Sequence, residues 1–134
     1  MKREMEVILD LDFGKTSIPS KKNQYRRGRG KSFYKPDEII EFEEDALIQI
    51  KEKIAKQKIR NLPFRNPVKI EMFFICDSFR ADLDNKFTTI QDLLVWAGIL
   101  TNDNLLIVRK GYFEGIKVKG ENKVKIIVNE INEK

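Results

Sequence analysis

With 134 residues, the chain is long enough to bury a hydrophobic core and fits one domain. Its 41% hydrophobic and 35% charged residues are typical of a globular protein and exclude a disordered or membrane-embedded composition. The net charge is +5 with a pI near 9.3, and there is no histidine. Ser-His and Cys-His catalysis and His-ligated zinc are therefore excluded, and any catalysis must use carboxylates, lysines, hydroxyls or a hard metal ion.

The first predicted element is a strand, because apolar residues alternate from Val7 to Phe13 before Gly14. The N-terminal residues Met1–Asp10 lack the apolar stretch of a signal peptide. No apolar run approaches the roughly 18 residues of a membrane span. We therefore expect no membrane association.

Residues 15–32 are predicted to form a loop that is unusually basic. Gly28 and Gly30 lie among the cations and would let the backbone follow a phosphate chain. This favours contact with nucleic acid, and a solvated basic surface is the alternative. The six cations are Lys21, Lys22, Arg26, Arg27, Arg29 and Lys31.

A long helix is predicted to begin at Pro36. Its first turns are acidic and its last turns are basic, an order that complements the helix dipole. We therefore interpret the acidic residues as structural and not as a metal site. Apolar residues at helical spacing predict one buried face, formed by Ile39, Phe42, Ala46, Leu47, Ile50 and Ile54.

The second half of the chain is predicted to add a strand, a helix and a hairpin. Alternation predicts a strand from Val68 to Cys76, with Cys76 in the core, and a single cysteine suits a reducing cytoplasm. A helix is expected over Lys86–Ala97, and strands over 104–119 and 123–129 follow. The prediction is one α/β domain over residues 1–134, with a mixed sheet of about four strands and two main helices in the order β-α-β-α-β-β.

Three carboxylates, those of Asp82, Asp84 and Asp103, are candidate metal ligands. In an extended segment Asp82 and Asp84 would point the same way, and the connection after the helix is long enough to return Asp103 toward them. Carboxylates without imidazole or thiolate favour Mg²⁺ or Mn²⁺. The structural alternative is that Asp84 or Asn85 caps a helix and that Asp103 belongs to an ordinary turn.

These residues stand in a pattern that resembles the RusA family of Holliday junction resolvases. The motif Arg80-Ala81-Asp82-Leu83-Asp84-Asn85 is followed by a helix ending Trp96-Ala97-Gly98 and then by Asn102-Asp103, which is similar to the family's D-x-D-N motif, A-G pair and further Asp. Pro19-Ser20-Lys21-Lys22-Asn23 resembles its Pro-Ser-Asn element. The resemblance implies Mg²⁺-dependent cutting of four-way DNA junctions by a homodimer, without a nucleotide cofactor.

The resemblance also implies roles for individual residues. Asp82, Asp84 and Asp103 would hold the metal ion. The family's transition-state lysine would fall at Thr88, so Lys86 is the nearest candidate for that role and Arg80 is an alternative cation. With the basic loop included, the residues expected to contact DNA are Ser20, Lys21, Lys22, Asn23, Arg26, Arg27, Arg80 and Asn85.

The expected function is therefore a structure-selective endodeoxyribonuclease of recombination and repair, in which a metal-activated water attacks a phosphodiester. Its substrate would be branched DNA and its location the cytoplasm. The alternative is a non-catalytic nucleic-acid-binding module, in which the basic loop is functional and the aspartates only cap a helix.

Overall fold

The computed structural model describes residues 5–19, 26–27, 33–34, 36–78, 83–102, 104 and 107–131. Within these ranges no helix is long and apolar enough to cross a membrane. The elements in chain order are β1 (Glu6–Asp12), β2 (Arg26–Arg27), β3 (Phe33–Tyr34), α1 (Asp37–Gln57), β4 (Val68–Cys76), α2 (Leu83–Trp96), β5 (Val108–Lys117) and β6 (Lys123–Glu130).

The main sheet has the strand order β1-β6-β4-β5 and is mixed, as the sequence predicts. Strand β6 is antiparallel to both β1 and β4, and β4 is parallel to β5. Strands β1, β4 and β5 therefore run in the same direction and end at one edge of the sheet, which we call the carboxyl edge. The segments that follow β1 and β4 both leave the sheet from this edge.

The core lies between one face of the sheet and the two helices. Alternation along β1, β4 and β6 buries one side of each strand, as in Leu9, Met72 and Ile126, while α1 and α2 contribute residues such as Phe42 and Ile90. Cys76 is part of this core, as predicted. Six further residues are among the largest that are fully buried: Ile18, Ile50, Phe64, Leu93, Leu94 and Ile99.

The two edge strands of the sheet differ in how they are covered. The Gln49 side-chain amide donates to the Asp12 carbonyl and accepts from the Asp12 backbone N–H, both at 2.9 Å, and Gln57 donates to the Ile8 carbonyl at 2.9 Å. Helix α1 thereby satisfies backbone groups on the outer side of β1, a common protection of an edge strand. At the opposite edge, β5 pairs with β4 and has no second strand beside it in the described part of the chain.

Two boundaries differ from the sequence prediction. Residues 15–32 were expected to be entirely loop, but Arg26–Arg27 pairs with Phe33–Tyr34 in a small antiparallel sheet. Helix α2 begins at Leu83 and not at Lys86. Asp84 is therefore helical and does not lie in an extended segment. The early start has a packing reason, because Leu83 and Phe87, one helical turn apart, cover Gly115 and Gly111 on β5.

We expect Gly115→Ala to disturb the start of α2. An added Cβ would lie 2.7 Å from Leu83 Cδ1, so the leucine side chain must move. Overpacking of this kind costs about 1–3 kcal/mol of unfolding free energy, measurable by urea denaturation. Leu83→Ala in the same background removes the clash, so the double-mutant cycle should show a coupling of about 0.5 kcal/mol or more. Strict additivity of the two changes would contradict this packing.

Candidate functional site

The candidate site lies at the carboxyl edge, where the segments after β1 and β4 are joined by a buried asparagine. The Asn122 backbone carbonyl accepts from the Phe13 N–H at 2.8 Å, and its side-chain amide donates to the Gly14 carbonyl at 3.2 Å. The same side chain accepts from the Asp77 N–H at 3.4 Å, and the Asp77 carboxylate accepts from the Gly120 N–H at 2.8 Å. Asn122 therefore fixes both exits from the sheet to the turn before β6.

Lys86 connects the segment after β1 to helix α2. Its side chain is only 3% exposed, and its ammonium group donates to the Ile18 carbonyl at 2.6 Å. Burial lowers the pKa of Lys86, and the nearby Cys76 opposes that shift. Burial likewise raises the pKa of the Cys76 thiol, against the effect of the Lys86 charge. The lysine thus lies inside the domain, between the end of β4 and residue 18.

Thr89 makes a second contact with the same segment. Its hydroxyl lies 2.8 Å from the Pro19 carbonyl, which accepts a hydrogen bond from it, and 3.1 Å from the Asn85 carbonyl of its own helix. Because residues 86 and 89 are about one turn apart, they share a face of α2. Two side chains of one helix face thereby hold two successive carbonyl groups, those of Ile18 and Pro19.

Asp84 occupies the first turn of α2 and is exposed to solvent. Its carboxylate accepts a hydrogen bond from the Asn85 N–H at 3.0 Å, and its carbonyl accepts one from the Thr88 hydroxyl at 3.0 Å. Residues 84 and 86 are about 200° apart around the helix axis. The Lys86 ammonium therefore faces the core, whereas the Asp84 carboxylate is open to solvent.

Only some of the other predicted site residues lie within the described ranges. Asn85 lies in the first turn of α2 beside Asp84, and Arg26 and Arg27 form β2. Within the described ranges, no three acidic, cysteine or histidine side chains come together as a metal site. The predicted residues that lie outside the described ranges are Ser20, Lys21, Lys22, Asn23, Arg80, Asp82 and Asp103.

The residues on either side of position 103 lie near the start of β5. The Asn104 carbonyl accepts from the backbone N–H groups of Ile107 and Val108, at 3.1 and 2.8 Å. Leu83, next to Asp84, instead packs on Gly115, seven residues further along β5. At a strand rise of roughly 3.3 Å per residue, this separation is about 23 Å. Asn104 therefore lies near the beginning of β5, whereas the start of α2 lies near its carboxyl end.

Sequence reasoning missed Thr89 and Asn122. Glu121 and Asn122 end the connection between β5 and β6, with an ion pair of 3.0 Å between Glu121 and Lys123, and the sequence suggested only a turn there. A buried polar residue must find partners, but the partners of Asn122 lie more than 40 residues away in sequence. Thr89 is similar, since Pro19 precedes it by 70 residues.

Fold and site together define a small α/β domain in which the segments that follow β1 and β4 leave the same sheet edge and α2 begins with an exposed acidic residue. The chain is 28% identical over 124 residues to the crossover junction endodeoxyribonuclease RusA of Aquifex aeolicus (strain VF5), covering 87% of this chain and 92% of that protein. No family model matches the chain. The similarity to RusA confirms the resemblance found in the sequence motifs.

Proposed function

We propose that the protein is a structure-selective endodeoxyribonuclease that resolves four-way DNA junctions. The observation that carries this proposal is the similarity to a RusA crossover junction endodeoxyribonuclease along most of both chains. The shared exit of the basic segment and the D-x-D-N segment from the carboxyl edge supports it. Such an arrangement lets one DNA backbone meet cations and carboxylates together.

The proposed metal ligands are Asp82, Asp84 and Asp103. The residues present fit a hard divalent cation, Mg²⁺ or Mn²⁺, because all three donors are carboxylates and Asp84 is open to solvent. When bound, such an ion supplies a water of lowered pKa and offsets charge on the phosphate. Ser20 to Asn23, Arg26, Arg27, Arg80 and Asn85 would hold the DNA. The buried position of Lys86 favours a role other than direct contact with the phosphate, which is developed below.

A non-catalytic nucleic-acid-binding module is the competing function. It would use the same basic segment, so binding alone does not separate the two. Incubation of the purified chain with a labelled synthetic four-way junction does, because the proposed enzyme should nick it only when Mg²⁺ or Mn²⁺ is present. Binding without any divalent-dependent nicking would favour the module.

We expect Asp84→Asn to abolish cleavage while leaving junction affinity unchanged or tighter. The substitution keeps the shape of the side chain but removes a metal-binding charge and a negative charge that faces phosphates. Asp82→Asn and Asp103→Asn should behave in the same way. Gel-shift titration in Ca²⁺ and single-turnover cleavage in Mg²⁺ measure the two effects separately. Normal turnover by any one variant would remove that residue from the ligand set.

Neutralising Lys21, Lys22, Arg26 and Arg27 together should weaken junction binding and reduce its dependence on salt. Log K falls by about 0.9 per log unit of salt for each phosphate contacted on duplex DNA, so the loss of three or four contacts should lower the slope by roughly three. The control is neutralisation of Lys56 and Lys58 at the C-terminal end of α1, where Gln57 contacts Ile8 and not the carboxyl end of β1. An unchanged slope would assign the basic segment to the solvated surface.

We propose further that the active form is a homodimer joined through the edge of β5 that no strand of the described ranges covers. A two-fold axis at Tyr112 would pair the two strands antiparallel and place Lys110 opposite the partner's Glu114 twice. Exposed Tyr112 and Ile116 would be covered by the same contact. Opposite charges directly across an antiparallel pair are stabilising. This isologous contact also suits the near two-fold symmetry of a four-way junction.

The same axis would bring the start of β5 in one protomer beside the end of β5 in its partner. Asn104 lies near the former and the first turn of α2 near the latter. Two copies would thereby bring Asp103 of each chain toward Asp84 of the other. A pair of such sites would provide the two cuts that resolution requires.

Reversal of one charge on β5 should dissociate the dimer. Lys110→Glu and Glu114→Lys each place like charges opposite one another, so sedimentation at about 10 µM should give monomers, whereas the double variant restores the dimer.

In a second readout, mixing Asp84→Asn with Asp103→Asn should restore nicking to about a quarter of the wild-type level, because half of the dimers are mixed and each has one intact site. Dimers in both single variants would exclude the β5 contact, and no activity in the mixture would exclude shared sites.

A further inference from the structure

Lys86 is a buried cation whose charge is used inside the domain. Its ammonium donates to a backbone carbonyl at 2.6 Å and its side chain is almost fully buried. A lysine rarely occupies such a position unless a specific partner holds it. The partner is the carbonyl of Ile18, a residue that is itself only 1% exposed. The bond therefore joins two buried groups that are 68 residues apart in sequence.

The position of Ile18 connects this hydrogen bond to the proposed function. Ile18 and Pro19 lie directly before Ser20, Lys21, Lys22 and Asn23, which are proposed to contact DNA. Their two carbonyls are held by Lys86 and Thr89 of α2, the helix whose first turn carries Asp84. The two hydrogen bonds thus connect the start of the DNA-contacting segment to the helix that bears a proposed metal ligand.

We propose that Lys86 and Thr89 are positioning residues that together dock the start of the DNA-contacting segment on α2. We call this pair of contacts the anchor. The anchor sets the spacing between the bound DNA backbone and Asp84. This inference rests on the proposed function, and it assigns Lys86 a different role from the charge stabilisation expected from sequence. It assigns Thr89 a role that no sequence pattern indicates.

The geometry supports docking over direct charge stabilisation. A group that stabilises a phosphoryl transition state must point at the reacting phosphate. The Lys86 ammonium instead points into the core, on the side of α2 remote from the solvent-facing Asp84. Thr89 carries no charge and yet holds the adjacent carbonyl of the same segment. A shared docking role accounts for both side chains.

The anchor has a characteristic kinetic signature. If only a fraction of the molecules has the segment docked, the apparent Kd rises by the inverse of that fraction, and saturating DNA restores the docked state. Lys86→Met and Thr89→Val should therefore each raise the junction Kd about tenfold. The single-turnover cleavage rate at saturating junction should stay within about threefold of the wild-type rate.

Matched variants separate the hydroxyl from the side-chain volume. Thr89→Ser keeps the donor and should restore wild-type affinity. Thr88→Val removes the neighbouring hydroxyl, which donates to the Asp84 carbonyl within α2, and should leave the Kd within about twofold. The combined Lys86→Met, Thr89→Val variant should bind more tightly than the product of the single effects predicts, because both residues hold one segment. Urea denaturation of every variant identifies the fraction that is folded under assay conditions.

Three results would overturn the anchor while leaving the proposed nuclease intact. In the first, Lys86→Met loses about a hundredfold in the cleavage rate at saturating junction but keeps its Kd, and Thr89→Val has wild-type rate and Kd. That is the pattern of a group that stabilises the transition state. Another is an unchanged Kd and rate in folded samples of both variants, which would make the contacts purely structural. The third is equal defects in Thr89→Ser and Thr89→Val. Failure of the wild-type chain to nick or bind the junction would instead refute the proposed function itself.

Discussion

The arrangement of the site depends on the direction of one central strand. Because β6 is antiparallel to both of its neighbours, β1 and β4 must run in parallel and must end at the same edge. The segments that follow these two strands contain the basic run and the D-x-D-N motif, which are separated by about half of the chain. If either pairing were reversed, the two segments would lie about a strand length apart. The topology therefore makes the two segments that carry the proposed site start at one edge of the sheet, before any side chain contributes.

The buried ammonium group of Lys86 then holds the segment after β1 against α2. Moving an ammonium group from water into a protein interior is costly unless a hydrogen-bond partner holds it there. Lys86 has a carbonyl partner at 2.6 Å, a short charge-assisted hydrogen bond. An apolar residue at this position would pack against Ile18 and Cys76 at lower cost, but it would leave the Ile18 carbonyl without its donor. A lysine is therefore favoured at this position if the function depends on the backbone position of residue 18.

Much of the fold could be predicted from periodicity. Apolar and polar residues alternate along β1 and β4 because one face of each strand is buried, and α1 has an apolar stripe because one face packs on the core. Both patterns involve only residues that are close in sequence. The start of α2 was missed because the polar run 77–85 gives no apolar period. The first turn of α2 is held by Leu83 packing on Gly115, a contact between residues 32 positions apart.

The candidate site was less accessible to sequence reasoning for the same physical reason. The D-x-D-N motif could be found as a pattern, and Asp84 is indeed exposed at a helix start. The roles of Lys86, Thr89 and Asn122 could not be found, because each is defined by a backbone group far away in the chain. Sequence reasoning placed Asp84 in an extended segment before the helix, and only the fold shows that Asp84 is helical and that Lys86 faces Ile18.

The electrostatics of the carboxyl edge favour a bridging cation. A carboxylate such as Asp84, placed close to a DNA backbone, would repel it, and the basic segment would have to compensate for that repulsion. The N-terminal end of α2 adds a partial positive charge of about half a unit, which stabilises Asp84 but does not remove its full negative charge. A divalent ion between carboxylate and phosphate removes the conflict, because both groups then become its ligands. Under the proposed function, the exposed Asp84 at the start of α2 is thus expected of a metal-dependent nuclease and unfavourable for a simple binding module.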